Sequence, residues 1–242
     1  MQDSIDPLQI DAEVAKAQAE AEKAAAEAEK AKAEARKAAA EAEEIEFAIW
    51  ELTRHREVIE ASDENNFLYR FDTSLNEKSV KACMQKLSQW HRQNPECDIE
   101  IIFSSPGGNI FEGMALFDFI QTLREQGHYV TTGAAGMAAS MAGILLQAGD
   151  YRWIGEQSWI LIHRASFGAF GSTYQIEDEV EFIKRIEERI IKIFTSRSNL
   201  TRRKIQSNWE RKDWWLSADE AMSYELVDEI RGVLQLPEYE DE

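Results

Sequence analysis

Downstream of residue 66, short apolar runs alternate with stretches in which apolar residues recur at helical spacing. The apolar runs predict strands at Phe67–Phe71, Ile99–Phe103, Tyr129–Thr132 and Trp159–His163. Helical spacing covers Glu77–Gln93, the stretch of Leu116, Ile120 and Leu123 that ends near Gly127, and the long stretch from Ile176 to Phe194. Strands separated by helices of this length predict parallel pairing through right-handed crossovers. The pattern is typical of an α/β fold.

Two helix starts are marked by capping boxes. Ser172 and Gln175 have the spacing to open the long helix, and Ser217 and Glu220 have it for a short helix before Leu226. In such a box the serine side chain accepts from the backbone of the third helical residue, whose own side chain reaches back. Helices are therefore expected to begin at these serines.

Residues 11–44 have a different pattern, because they are almost entirely Ala, Glu, Lys and Arg. These are strong helix formers, and Glu and Lys four residues apart add stability. The apolar stripe is alanine without large side chains, so a helix is predicted and a tight coiled coil is not. The segment is interpreted either as a solvated spacer or as a docking arm for a partner or other subunits. We divide the chain into a helical arm at 1–45, a globular domain at 46–234 and an acidic tail at 235–242.

Composition and charge exclude several classes of protein. The 242 residues, 44% of them hydrophobic, suffice for one packed domain and an appendage. A formal net charge of −18 argues against a nucleic-acid partner, because phosphate contacts need clustered Lys and Arg. No apolar run is long enough to span a membrane and the N-terminus lacks the order of a secretory signal, so we expect no membrane partner and a cytoplasmic location. Cys83 and Cys97 lack metal-site spacing and are expected to be buried free thiols, with a disulfide as the alternative.

One serine lies where a predicted strand meets an apolar helix, in the small-residue segment GAAGMAASMAG at 133–143. Small neighbours allow the backbone to bend sharply and a substrate chain to approach. At a helix N-terminus, Ser140 would have exposed amides and the positive end of the helix dipole beside it, which suits a developing oxyanion. These features indicate a nucleophile elbow without the G-x-S-x-G letters. Taken alone, the segment is more often explained by an ordinary N-cap serine.

A serine nucleophile needs a base, and the chain offers His55, His91, His128 and His163. Only His163 ends an apolar strand and enters a Gly-rich segment, so its ring can project into a cleft. His55 and His91 lie in polar helical stretches and are expected at the surface. A lone histidine is more often structural than catalytic, so His163 is a candidate only in combination with the serine.

A second Gly-rich turn, Ser104-Ser105-Pro106-Gly107-Gly108, follows a predicted strand and precedes a helix. Its two glycines can present backbone N–H groups to an anion. The spacing of a phosphate-binding P-loop is absent, so phosphate is a weak interpretation and an ordinary tight turn is the alternative.

Four blocks together resemble the Clp protease proteolytic-subunit family: FSSPGGNIFEGMALFD at 103–118, GMAASMAGILLQAG at 136–149, WILIHRASFGAFG at 159–171 and KDWWLSADEAMSYELVDEI at 212–230. The resemblance runs from about Asn66 to Gly232. It implies that Ser140 is the nucleophile, His163 the base and Asp213 the acid that orients the histidine. It also implies that the backbone amides of Gly108 and Met141 bind the oxyanion. A different chain order of the three triad residues in other folds is no objection, since triads are defined by geometry.

The same resemblance implies a Clp/crotonase-type α/β fold of repeated β-β-α units. A protruding handle would consist of a strand and loop around Gly168–Gly171 and the helix of Ile176–Phe194. The implied activity is that of a serine endopeptidase that cleaves unfolded proteins or peptides through an acyl-enzyme, with no metal or organic cofactor. The implied assembly is a homo-oligomeric ring, heptameric and stacked face to face as a double ring, which works with an AAA+ unfoldase.

Departures from the family pattern leave the partner open. The family has H-Q-P where this chain has His163-Arg164-Ala165, so Arg164 brings a charge close to the substrate groove. The family has N-S-P-G-G where this chain has a serine at 104. The Ala/Glu/Lys arm replaces the short axial loop with which family members dock to an unfoldase ring. A virus-encoded member that acts in capsid maturation, with its arm bound to a scaffold, is therefore an alternative.

Three other functions compete with this interpretation. A crotonase-type acyl-CoA enzyme shares the paired oxyanion amides but does not need Ser140, His163 and Asp213 together. A membrane-linked signal-peptide peptidase uses serine with lysine, and the lack of a membrane segment and the presence of His163 argue against it. A catalytically latent or structural ring subunit would use the acidic arm as its working part.

Overall fold

The computed structural model describes residues 7–168, 170–210 and 212–233, so the tail at 235–242 lies outside the described residues. The chain divides into two compact units, Met1–Ala61 and Ser62–Glu242. The first unit contains one helix of 54 residues, α1, at Pro7–Glu60. The helix continues past residue 45, where the sequence had placed the end of the arm, because no Gly or Pro interrupts it before Glu60.

The second unit alternates strands and helices. Its elements are β1 (Leu68–Phe71), α2 (Glu77–Gln93), β2 (Ile99–Ser105), α3 (Ile110–Glu125), β3 (Val130–Ala139), α4 (Met141–Leu145), a short 3-10 turn (Leu146–Ala148), β4 (Tyr151–Gly155), β5 (Trp159–Ile162), α5 (Thr173–Ser196), α6 (Arg202–Trp209), β6 (Trp214–Leu216), α7 (Ala218–Ser223) and β7 (Glu229–Arg231). Both predicted capping boxes are present, at Ser172 with Gln175 and at Ser217 with Glu220.

Within the described residues, seven strands form one sheet in the order β1-β2-β3-β4-β7, and β5 pairs with both β3 and β6. All pairs are parallel except β5 with β6. The mixed α/β fold with a largely parallel sheet is therefore confirmed. It follows from helical crossovers between strands, which bring successive strands side by side in the same direction.

The core of the second unit lies between the sheet and its helices. Helix α2 buries one face, formed by Val80, Cys83, Leu87 and Trp90, as its apolar spacing predicts. Helix α3 likewise buries Leu116, Ile120 and Leu123. Burial of this apolar surface is the main favourable contribution to folding and makes the sheet a rigid support for the loops at its edge.

Three local expectations differ from the structure. Strand β3 continues through the small residues to Ala139 instead of ending near Thr132, because it pairs with β2 and β4 first and with β5 afterwards. No strand precedes α5 among the described residues of 163–172, so the expected handle consists of a loop and a helix. His91 is half-buried and its Nδ1 lies 2.8 Å from Nε2 of the buried His128, so it is not a surface residue.

The structure also shows the state of the two cysteines and whether any described helix could span a membrane. Both cysteines are free; Cys83 is buried, which raises the pKa of its thiol, and Cys97 is half-buried. In the part of the chain that the structure describes, no helix combines the length and the apolar character that a membrane span requires.

Candidate active site

Ser140 joins β3 to α4 in an unusual backbone conformation. Its φ is +56° and its ψ is −121°, a region that residues other than glycine rarely adopt. The backbone N–H of Ser140 donates to the carbonyl of Leu161 at 2.9 Å, which ties the turn to β5. The hydroxyl makes no capping hydrogen bond to α4. The side chain therefore does not serve as an N-cap, and the strained turn directs it elsewhere.

Three neighbouring strands bring Ser140, His163 and Asp213 to one edge of the sheet. In the register of β3 with β5, Ala139 lies opposite Leu161, so Ser140 follows directly beside the end of β5. In the antiparallel register of β5 with β6, Ile162 lies opposite Trp214. His163 leaves β5 at the point where Asp213 enters β6, which explains how residues 50 positions apart meet.

The side chains of these three residues form a continuous chain of contacts. The Ser140 Oγ lies 2.7 Å from the His163 Nε2, a short hydrogen bond. The His163 Nδ1 lies 3.4 Å from the Asp213 Oδ1, which is longer than a well-formed hydrogen bond. The side chain of His163 is 27% exposed and that of Asp213 is 58% exposed. The hydroxyl thus has a base in position, and the base has a carboxylate beside its other nitrogen.

The Pro-Gly-Gly turn packs against the Ser140 turn. Gly107 has a φ of +90°, and a Cβ at this position would lie 2.6 Å from the Ala139 carbonyl oxygen and 2.7 Å from the Ser140 Cβ. Gly108 pairs with Leu75 in an isolated bridge, and a Cβ on Gly108 would lie 2.2 Å from the Leu75 carbonyl oxygen. Only glycine allows this close approach of two backbone turns. The Gly108 amide is thereby held in the turn that faces the first amide of α4, that of Met141.

An apolar cleft adjoins the Ser140 hydroxyl. Besides Ser140 and His163, its walls include Met141, Ile144 and Ile162 from the sheet side, and Ile190 and Phe194 from α5. Helix α5 also contacts the start of α3, where Phe182 stacks on Phe111 with ring centroids 6.2 Å apart. The cleft is narrow, with a volume of about 20 Å³, so its apolar walls lie close around the Ser140 hydroxyl and the His163 ring.

Arg164, the residue after the histidine, is bound to α5 by a two-point ion pair. Its Nε and Nη2 each donate to one oxygen of Glu187 at 2.9 Å. The Glu187 side chain is only 10% exposed, whereas that of Arg164 is 52% exposed. The hydrogen bond and the charge of Glu187 raise the pKa of Arg164, which stays cationic. The pair therefore fixes the chain just beyond His163 onto α5.

The structure thus brings together Ser140, His163 and Asp213, and it places the amides of Gly108 and Met141 on the two turns beside them. Sequence reasoning noted the charge of Arg164 but missed its partner Glu187. No sequence signal links the two, because they are 23 positions apart on different elements. Ile190 and Phe194 were expected only as the buried side of a helix, not as walls of the cleft.

Comparisons with known proteins identify the family to which this site belongs. The Clp protease family model matches residues 64–233, which is most of the chain and covers all of the residues named in the site. The chain is also 29% identical over 160 residues to the ATP-dependent Clp protease proteolytic subunit of Deinococcus radiodurans, a match that spans 65% of this chain and 76% of that protein.

The chain belongs to the Clp protease family. As a Clp protease family member it is a serine-type endopeptidase, which confirms the resemblance seen in the sequence blocks. The family match begins at residue 64, after the end of α1 at Glu60. Helix α1 therefore lies outside the part of the chain that the family accounts for.

Breaking the Arg164–Glu187 pair is expected to impair turnover in this Clp protease. Arg164→Glu places two carboxylates together and frees the chain beyond His163, and a displacement of about 1 Å in a catalytic group costs about 10²-fold. The reversed pair, Arg164→Glu with Glu187→Arg, should recover most of the loss because the ion pair is restored. Measured kcat and KM for a small peptide substrate should show the loss in kcat.

A matched control lies next to Glu187 on the same helix. Glu188 pairs with Arg202 at the surface, so Glu188→Gln should leave kcat within about twofold of the parent value. If the double reversal recovers no activity, or if Arg164→Glu changes only KM, Arg164 does not position the histidine.

Proposed function

We propose that this chain hydrolyses peptide bonds through an acyl-enzyme in which Ser140 is the nucleophile, His163 the general base and Asp213 the residue that orients the imidazole. The observation that carries the proposal is the 2.7 Å contact between the Ser140 Oγ and the His163 Nε2, made by a serine in a strained turn whose hydroxyl caps no helix. Strain of this kind is retained in proteins chiefly where function needs it.

The geometry supports the following sequence of steps. The Ser140 oxygen attacks the carbonyl carbon of the scissile bond while the His163 Nε2 accepts the hydroxyl proton. The carbonyl oxygen becomes an oxyanion, and we assign its binding to the backbone N–H groups of Gly108 and Met141. His163 then gives the proton to the leaving amine. Water attacks the remaining ester in the same manner and releases the second product, so Ser140 and His163 return to their starting forms.

The contact between His163 and Asp213 explains the role assigned to the carboxylate. By accepting from the Nδ1–H, Asp213 holds the tautomer in which Nε2 is the acceptor, and it stabilises the imidazolium that forms. The separation of 3.4 Å is compatible with this role, since catalytic hydrogen bonds are often long in enzymes without substrate.

A fluorophosphonate probe tests the proposed nucleophile directly. The parent chain should be labelled once per chain, at Ser140, because the activated hydroxyl attacks the phosphorus and displaces fluoride, and the adduct resembles the tetrahedral intermediate of acyl transfer. Ser140→Ala should abolish labelling, and Ser207→Ala, which alters a serine on α6, should leave labelling at the parent level. Peptide mapping by mass spectrometry identifies the labelled residue. Persistent labelling of Ser140→Ala would exclude Ser140 as the nucleophile.

We further propose that copies of the chain close into rings around the sites, heptameric and stacked in pairs as the family resemblance implies. Large apolar side chains cluster before and along α5, where Phe170 is 98% exposed and Tyr174 is 80% exposed. A monomer rarely leaves a contiguous apolar surface of this kind bare, so another copy is its expected occupant.

Light scattering checks the assembly. The parent chain should elute with the mass of a multiple of seven chains, and Phe170→Glu with Tyr174→Glu should shift the mass towards the single chain. A stable monomer of the parent chain that cleaves peptides at full rate would contradict the ring. Unfolded proteins or peptides are then the expected substrates, in the cytoplasm, with an AAA+ unfoldase or a scaffold protein as the partner that delivers them.

A crotonase-type acyl-CoA enzyme is the second candidate function, because paired amides of two turns are also its main device. The contact of Ser140 with His163 favours hydrolysis through an acyl-enzyme instead, since oxyanion binding alone has no use for that hydrogen bond. A catalytically latent ring subunit would also contain Ser140, His163 and Asp213, but its serine would not react. Absence of fluorophosphonate labelling in the assembled parent chain would favour this alternative.

A further inference from the structure

Helix α1 carries a seven-residue repeat that continues from its alanine-rich part into its apolar end. Residues 19–25, 26–32, 33–39 and 40–46 read AEAEKAA, AEAEKAK, AEARKAA and AEAEEIE. When Val14 is assigned to heptad position a, positions a and d are apolar in every repeat from Val14 to Leu52. Seven is the period of a coiled coil.

We call positions a and d between Val14 and Leu52 the seam. The seam is alanine except at Val14, Ile45, Ile49 and Leu52. The last three side chains are 61%, 58% and 70% exposed, so α1 by itself leaves its largest seam residues uncovered. The next a position is Arg56, which pairs with Glu60 along the helix, and the seam ends there.

The seam differs from the other alanines of α1. Alanine also occurs at position f, which lies on the helix surface between positions b and c. Because b and c carry mainly charged residues, the alanines of position f form a column only one residue wide. The column then continues into Phe47 and Arg54 on the outer face, where Phe47 stacks on Trp50 at 5.9 Å and the Arg54 guanidinium lies 5.5 Å from the Trp50 ring. Only positions a and d give a strip two residues wide.

The strict period requires a partner of the same pitch. On a straight helix a seven-residue pattern drifts by about 20° per heptad, so the seam winds around the axis over its whole length. It stays on one side only when the helix supercoils around another helix with the same repeat. A second copy of α1 meets this condition at every layer.

The charges beside the seam favour one orientation of that copy. Position g is glutamate at Glu20, Glu27, Glu34 and Glu41. In an antiparallel pair these columns would face each other, and like charges would repel along the entire contact. In a parallel pair in register, Glu27 faces Lys32, two of the other glutamates face alanine, and one like-charge contact remains, between Glu41 and Glu46.

We propose that the seam packs against the seam of a second copy of the chain, parallel and in register. Alanine allows the two backbones to approach closely, while Ile45, Ile49 and Leu52 anchor the contact at its C-terminal end. The contact does not rest on the proposed catalytic function. In a ring, rotational symmetry sends every arm in the same direction, so parallel pairs can form within it, and a ring of seven leaves one arm without a pair.

Cysteine cross-linking of the full chain tests the contact and its orientation. All variants carry Cys97→Ser, so that buried Cys83 is the only other thiol. In a parallel pair in register, Leu52→Cys and Ala24→Cys should each form a disulfide with the same residue of the second copy under mild oxidation. The yield should exceed that of Arg54→Cys on the outer face by about tenfold, since a disulfide needs Cβ atoms about 4 Å apart.

Two charged double variants test the anchor residues. Ile49→Glu with Leu52→Glu should reduce the Ala24→Cys cross-link at least fivefold, because charge is placed in the seam. Phe47→Glu with Val58→Glu adds the same charge on the outer face and should leave the cross-link unchanged. Circular dichroism confirms that each variant keeps its helix content, so a lost cross-link reports the contact and not an unfolded arm.

Three results would overturn the proposal. Equal cross-linking at Leu52→Cys and Arg54→Cys would show random collision. A disulfide between Ala24→Cys and Ala42→Cys chains in a mixture, without self-pairing of either, would show an antiparallel pair. No cross-link at Leu52→Cys or Ala24→Cys, in a sample whose mass shows more than one chain, would show that the seam does not pack against a second copy.

Discussion

Replacing Ser140 by alanine is expected to lower peptide-bond hydrolysis by several orders of magnitude without unfolding the protein. Removal of a triad member in serine peptidases leaves only about 10³–10⁴-fold catalysis over water, which comes from the oxyanion site and substrate binding. Alanine keeps the backbone contact of residue 140 with the Leu161 carbonyl and loses only the hydroxyl. The kcat for a small peptide ester should therefore fall by several orders of magnitude, while the thermal unfolding midpoint stays nearly unchanged.

The other members of the group give an internal control. Because the proposed mechanism makes the three residues a unit, Ser140→Ala with His163→Ala should be little worse than Ser140→Ala alone. Asp213→Asn should cost less than either single change, since Asp213 touches no reacting atom and is more than half exposed. Additive losses, or full activity of Ser140→Ala, would show that the three residues are not one catalytic unit.

Gly107→Ala is the second change for which we expect a large effect. The added methyl group would meet the Ala139 carbonyl oxygen at 2.6 Å and the Ser140 Cβ at 2.7 Å, so one of the two turns has to move. Loss of one oxyanion donor alone costs about 10²–10³ in kcat, and displacement of the serine adds to this. Steady-state kinetics should show a loss mainly in kcat, because the change displaces the serine turn and the amides proposed to bind the oxyanion.

Gly232→Ala is the matched control for Gly107→Ala. Both glycines have positive φ, +90° at Gly107 and +75° at Gly232, but a Cβ on Gly232 meets nothing within 4 Å. Gly232→Ala therefore carries the backbone strain without the collision, and its kcat should stay within about twofold of the parent value. Equal losses in both variants would assign the effect of Gly107→Ala to backbone strain and remove the argument for close approach of the two turns.

Local chemistry made much of the fold predictable. The span of α2 was predicted at Glu77–Gln93, as observed, because its apolar spacing and its polar boundaries act within a few residues. Strands β4, β6 and β7 were not predicted. Each is short, and β7 exists as a strand because Glu229–Arg231 pairs with Trp153–Gly155, a contact across the whole domain that no local pattern signals.

The arm was predicted as a helix without a tight coiled coil, because its stripe is alanine, and the helix is observed. The coiled-coil contact proposed above rests on the period of the stripe and not on the size of its side chains. The regular helix through Glu60 joins the alanine positions to Ile45, Ile49 and Leu52, and then the period of seven becomes the stronger signal. The repeat was present in the letters, so this inference needed the extent of the helix but no tertiary contact.

By itself the sequence determined the α/β alternation of the main elements and both capping boxes, and through four blocks that resemble one family it gave Ser140, His163 and Asp213 as candidate site residues. Only the tertiary structure decided that the Ser140 hydroxyl turns to His163 instead of capping α4, that Gly107 touches the serine turn, and that Arg164 is held by Glu187. The physical reason is the range of the interactions. Caps and helices depend on neighbours within about one turn, whereas these contacts join strands and helices that meet only when the sheet has formed.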